Sequence, residues 1–177
     1  MTNSIASTST QTAATSARAN ALADRLEQGA RALIGFASGL TDAEWQMRMP
    51  KDGRTVGVIV HHVASVYPLE IQLAQAVAAG NAVSGVTMAD VDEMNAAHAA
   101  ENGAITKDAA IVALRQNSAA AAAAIRALTD EQLAQAAPVS LYADAPLTCQ
   151  FVLEDHAVRH SYHHLARLRR AVAPAAV

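Results

Sequence analysis

Six of the seven histidines in this sequence fall in two short stretches. His61 and His62 are adjacent, and His156, His160, His163 and His164 lie within nine residues. Only His98 stands apart. Imidazole is a common metal ligand and titrates near neutral pH, so such clustering points to metal or proton chemistry. On a helix, His160 and His164 differ by about 40° and sit one turn apart. That i, i+4 spacing lets two imidazoles of one helix reach one ion. His156 falls on the same stripe one turn earlier, and His163 about 60° to one side. Leu153, Ala157 and Ala171 share this side, so the stripe is expected to face the interior. In the other stretch, Val58, Ile59, Val66, Leu69 and Leu73 fall within about 60° of His62. His61 is turned about 100° away, beside Pro68 and Gln72.

One histidine from one helix and two from another can hold a metal. Three neutral imidazoles leave a coordination position open, as in catalytic rather than structural zinc. The set His62, His160 and His164 is favoured over sets using His61, His156 or His163. Core histidines can also be simple hydrogen-bonded residues, or partners of a helix C-terminus. That accounts for one or two of them, and poorly for four within nine residues plus one on a second apolar stripe. An open site can generate hydroxide for hydrolysis or bind a thiol and deliver a thiolate. His163 and His156 are the candidates for proton transfer, or for orienting a ligand's other nitrogen. Glu154 and Asp155 point elsewhere by the same arithmetic, so no helix-borne carboxylate base is expected. Tyr142 and Asp144 could line a cavity mouth. Cys149 lies about 16 Å from His160 along the axis and is expected to be a small core residue. Imidazole suits zinc, nickel, copper and iron alike. No Ser/His/Asp arrangement or glycine-rich phosphate loop is visible.

These side chains need helices to position them, and the composition supplies them. The chain has 177 residues, 52% hydrophobic but only 3% aromatic. Much of the apolar fraction is alanine, the best helix former. An all-β fold is nearly excluded, and the length suits one domain with its own core. A net charge of −3 offers no basic footprint for nucleic acid. The single cysteine cannot form an intrachain disulfide, which fits a reducing compartment. Met1 to Asn20 lacks a basic start and an apolar core, so it does not read as a secretory signal. With no uninterrupted apolar run of membrane-spanning length, a cytoplasmic protein is expected, with no membrane partner.

Four long helices can be read. Residues 1–13 are polar and aperiodic and are expected to be disordered, followed by one domain over 14–173. The first long helix runs from about Ala14 to Ser38 on Leu22, Leu26, Leu33 and Phe36, and Gly39 stops it. The second opens near Thr55, carries His61 and His62, and ends near Ala79, with a kink expected at Pro68. Residues 81–105 form the longest connection, with a small helix starting at Thr87. Thr106 caps the third long helix, Lys107 to Leu128, whose Ala119–Ala124 run suits close packing. Thr148 caps the fourth, which reaches about Val172 and is closed by Pro174. One internal echo stands out. Leu40-Thr41-Asp42-Ala43-Glu44-Trp45 is matched by Leu128-Thr129-Asp130-Glu131-Gln132-Leu133, and a proline follows each at the same distance. Either the chain is two similar helical hairpins, or a common capping box has arisen twice.

The stretch Thr55-Val56-Gly57-Val58-Ile59-Val60-His61-His62-Val63-Ala64 resembles the S-V-G-x-I-x-x-H-x-A helix of DinB/YfiT-like proteins. His160-Ser161-Tyr162-His163-His164 is similar to their C-terminal H-x-x-H-H. The lead-in from Thr41 to Gly53 also fits, and the resemblance covers roughly residues 15–172. It implies an all-α four-helix bundle with a long crossover between the second and third long helices. It also implies a divalent metal, zinc or nickel, held by His62, His160 and His164. Members often form homodimers, many have no known activity, and some resemble thiol-dependent transferases or isomerases that use low-molecular-weight bacterial thiols, so a homodimer with a small-molecule substrate is expected here. The expected function is therefore a metal-dependent thiol transferase or hydrolase, the alternative being a non-enzymatic metal-binding or stress-response bundle. Where the family often continues H-H-R-G-Q, this chain has Leu165-Ala166-Arg167. The ligands are intact, but the family's Arg and Gln contacts are missing, and Arg167 is either a substitute charge or a solvated end residue.

Overall fold

The computed structural model describes residues 16–50 and 53–173. The N-terminal segment 1–13, most of the turn at 51–53, and Pro174 lie outside them. The long helices are α1 (Ala17–Ser38), α3 (Val56–Ala78), α5 (Lys107–Arg126) and a fourth built from three pieces. Those pieces are α7 (Cys149–Leu153), a π turn at Glu154–Val158, and α8 (Arg159–Val172). Short α2 (Asp42–Gln46) and α6 (Asp130–Ala134) connect them, and α4 (Met88–Glu101) lies in the crossover. A two-stranded antiparallel hairpin, β1 (Ala136–Val139) and β2 (Ala145–Thr148), precedes α7, with Ala136 paired to Thr148 and Val139 to Ala145.

Local chemistry explains where the helices begin. Ser16, Thr55, Thr106 and Thr148 each accept a backbone N–H of the turn that follows. Each satisfies one of the donors a helix N-terminus leaves orphaned. Gly39 caps α1, and does so in a right-handed conformation (φ −84°). Gly80, just beyond α3, takes the left-handed φ of +77° that suits glycine.

α5 packs against both α1 and α3, and the fourth helix touches both on the other side. α1 and α3 therefore lie on one diagonal of the bundle. The Trp45 ring fixes the direction of two neighbours. It presses on Gly57 at the start of α3, where an added Cβ would fall 2.4 Å from the indole. Its Nε1–H donates to the Ile105 carbonyl (3.0 Å), just before α5. α3 and α5 thus start at the same end and run parallel. A 23-residue helix spans about 34 Å, so no tight turn can join them. Residues 79–106, including α4, make the return.

The LTD echo has a structural counterpart. Both α2 and α6 begin in a complete capping box, Thr41 with Glu44 and Thr129 with Gln132. Each buries one large apolar side chain at the same place in the repeat, Trp45 and Leu133. Each leads into antiparallel extended backbone, the Arg48–Thr55 bridge in one case and β1–β2 in the other. Each then enters a histidine-bearing helix through a threonine cap. The motif recurs because the chain twice has to cross the end of the bundle between diagonal helices.

The core is filled by Leu22, Leu26 and Leu33 of α1, Ile59 and Tyr67 of α3, Leu114 and Ile125 of α5, and Leu153 and Leu168 of the fourth helix. Within the alanine run of α5, Ala121 and Ala122 are buried. α3 is apolar and long enough to cross a membrane by length and composition, with 67% of that window buried inside the fold. α4 has no buried residue and lies along α3.

Candidate metal centre

His62 leaves α3 towards α8, where His160 and His164 sit one turn apart. One ring nitrogen from each of the three lies within 4.8 Å of the others. His62 and His164 are each only 6% exposed. The His62 and His160 Nε2 atoms are 3.2 Å apart. Two ligands bound at zinc–nitrogen distances with a tetrahedral angle would lie about 3.3 Å apart. His164 Nδ1 is buried without a hydrogen-bond partner. Burial first, and then the neighbouring His160 and His62, push the His164 imidazole down to about 2. It is therefore neutral, as a ligand must be. Spacing, neutrality and an orphaned buried nitrogen together fit a divalent cation.

Glu70 is the residue the histidine pattern does not reveal. Its carboxylate, 7% exposed, accepts a hydrogen bond from His160 Nδ1 at 2.5 Å. That bond fixes the tautomer and leaves the Nε2 lone pair facing His62. This is the carboxylate–histidine arrangement that orients metal ligands and raises their basicity. Its second oxygen is buried with no partner. A signal was present: Glu70 is the only charged residue of α3 apart from its histidines. A lone carboxylate is costly to bury unless something cationic is near. Tyr67 and Ser161 tie the same two helices together through a buried 2.6 Å hydrogen bond. Burial pushes the Tyr67 phenol well up, so it stays protonated.

His98, set apart in sequence, arrives on α4. Its Nε2 lies 2.9 Å from His61 Nδ1 with the rings stacked, and it stands edge-on to His62 at 5.6 Å. Burial lowers both His61 and His98. His61 thus joins a second imidazole pair behind the cluster.

The two expected proton-transfer residues differ in placement. His156 lines a cleft of about 640 Å³ whose floor is formed by His62 and His160. The π turn adds a residue to the helix and moves the phase by about 100°, so straight helical arithmetic does not carry across it. His156 turns to Tyr142, whose oxygen is 3.1 Å from Nε2. The Tyr142 hydroxyl donates to Asp155. Its single proton being used there, His156 Nε2–H is the donor in the other contact, and its lone pair is on Nδ1. His163 is exposed, packs edge-on against His164 and does not line the cleft. Its side chain projects from the outer face of α8 and meets the cluster only through the His164 ring. Asp144 is exposed in a left-handed turn (φ 58°). Leu69, expected on the buried stripe of α3, is 47% exposed and forms part of the cleft wall. Cys149 is buried, and that burial raises its thiol to about 11, so it stays an unreactive thiol.

The DinB superfamily profile matches residues 25–168. The chain belongs to the DinB superfamily. No curated protein matches it. Among solved structures, YfiT from Bacillus subtilis is similar, with a TM-score of 0.69 and 20% sequence identity over 86% of each chain. That protein is described as a probable metal-dependent hydrolase with an unusual four-helix bundle topology. The likeness establishes the DinB-type bundle fold for this chain.

The neutral His164 also fixes a pH dependence for the metal-free protein. In the unfolded chain a histidine gains its proton near pH ~6.5, whereas in the fold it does not until about 2. The unfolded state therefore binds more protons below that point. Stability from this residue is fully present above pH ~6.5 and is lost as pH falls, by at most ~1.4 kcal/mol per pH unit. Urea unfolding of chelator-treated protein between pH 7.5 and 5 should show the midpoint falling. A midpoint that stays level or rises would contradict the neutral buried imidazole.

Proposed function

We propose that this protein is a metal-dependent hydrolase whose divalent cation, zinc or nickel, is held by His62, His160 and His164. The observation that carries this reading is the meeting of three imidazoles, two of which, His62 and His160, form the floor of an open cleft. A cation bound there would supply Lewis acidity and a lowered water pKa. Everything else is done by the chain's own residues. Glu70 holds the His160 ring so that Nε2 faces the cluster, and the neutral His164 completes the donor set without a proton to displace. His156 stands in the cleft wall with an unprotonated Nδ1, and burial lowers its affinity for a second proton, so it is neutral near pH 7. In this reading it takes a proton from the attacking water and returns it to the leaving group. Hydrolysis of an ester balances simply. The water oxygen bonds to the acyl carbon and the acyl C–O bond breaks. One water proton ends on the leaving alcohol and the other is released as the carboxylate forms.

The test is ester hydrolysis by the full-length protein loaded with zinc or nickel. The rate should fall to background on chelation and return when metal is added back. Stoichiometric metal with no hydrolysis of any ester would instead support a non-enzymatic metal-binding protein.

A further inference from the structure

The walls of the metal cleft carry information about the molecule that enters it. Among the described residues few large hydrophobic side chains are exposed, and four of them gather at this one opening: Leu69, Val86, Met88 and Met94. Leu69 is on α3, Met88 and Met94 on α4, and Val86 just before it, so both sides of the mouth are apolar. Val66, one turn along α3 from His62, continues the strip inward towards the histidines. Apolar side chains left in water at a cavity mouth are unusual unless a ligand covers them.

The charge pattern narrows the class. Among the described residues, the cleft lining contains no lysine or arginine, and its only carboxylates are Glu70 and Asp90. Glu70 is engaged with His160, and Asp90 caps α4 by accepting from Thr87 N and Oγ1. An anionic arm lying along this wall would meet no counter-charge and would lose its hydration. An uncharged arm would lose nothing and would cover the exposed leucine and methionines. The volume of about 640 Å³ is that of a small-molecule site. Methionine, flexible and polarizable, suits a linear chain of variable length.

We infer that the cleft recognises an uncharged carbonyl compound through a linear apolar arm, laid between Leu69 of α3 and Met88 and Met94 of α4, with the carbonyl at the histidine end. The inference rests on the hydrolase reading for the reaction, but not for the recognition. Medium-chain esters are the class it names, and thiols or esters with an anionic arm are excluded.

Two measurements on the full-length chain separate recognition from chemistry. In the first, calorimetry on the metal-free protein compares 2-decanone with decanoate. The ketone should bind at least tenfold more tightly. In the second, the metal-loaded protein is given p-nitrophenyl esters of butanoate, hexanoate and octanoate, and of succinate with its free carboxylate. Each added methylene that is buried is worth up to about fourfold in kcat/KM. Octanoate should therefore exceed butanoate by at least tenfold, and the succinate ester should be the poorest. Met94→Lys, at an exposed position, should flatten the chain-length series and raise the succinate ester. Hydrolysis without chain-length preference would overturn the inference and leave the hydrolase reading standing. Ketone binding without hydrolysis of any ester would do the reverse. Ketone and decanoate binding alike, or a dimer that Met88→Lys dissociates with no ketone binding, would overturn it, the latter assigning this face to a second copy of the chain.

Discussion

Replacing His160 with alanine is expected to strip the protein of its metal. His160 is the hub of the cluster: it meets His62 through Nε2 at 3.2 Å and Glu70 through Nδ1 at 2.5 Å. Loss of an outer-shell partner alone costs ~10–100-fold in metal affinity, so loss of the ligand itself should exceed ~100-fold. After dialysis, elemental analysis should find about one divalent ion per wild-type chain, as a single three-histidine site requires, and almost none in the variant. The melting temperature of the wild type should rise with added zinc or nickel, because a ligand that binds only the folded state stabilises it. The variant should not respond. Removing the imidazole also deprives Glu70 of its partner, which costs stability by itself. His160→Gln keeps a donor for the carboxylate while removing the imidazole, and so separates ligation from folding. His163→Ala, on the exposed face, should retain its metal. Equal metal content in wild type and His160→Gln would reject the ligand set.

The second large effect belongs to Glu70, and its sign depends on the metal. Glu70→Gln removes a buried negative charge that has one imidazole partner and one unsatisfied oxygen. Without metal this substitution relieves a desolvated carboxylate, so the melting temperature should hold or rise. With metal, the carboxylate no longer sharpens the basicity and tautomer of His160, and affinity should fall ~10-fold, or up to ~100-fold for Glu70→Ala. The expected pattern is a metal-free protein at least as stable as wild type and a smaller metal-induced shift. Thermal melts with and without zinc, together with a competition titration against a chromophoric chelator, read both quantities. A variant less stable without metal yet unchanged in affinity would mean that Glu70 serves the fold and not the ion.

Much of this arrangement was open to reading from spacing alone. Period and caps decided the helices: Thr55, Thr106 and Thr148 mark starts, and Leu22, Leu26 and Leu33 mark a buried face, because capping and burial are local consequences of residue type. The i, i+4 pair His160 and His164 is likewise local, and so is its direction within α8. The hairpin before α7 escaped the reading because its strands, Ala136–Val139 and Ala145–Thr148, are short and poor in β-branched and aromatic residues. Their pairing is set by the turn at Ala143 and Asp144 and by the need to cross the bundle end.

The sequence by itself determined an alanine-rich helical protein with histidines on the inner faces of two helices, since helical period ties residue spacing to direction over one or two turns. Beyond that range the period loses its hold. The π turn at Glu154–Val158 re-aimed His156, and only the packing of α4 carried His98 to His61. Only the docking of α3 against α8 set Glu70 on His160, two turns beyond His62. Which carboxylate steadies which imidazole is decided by the relative placement of separate helices, and that placement follows from how the whole core packs.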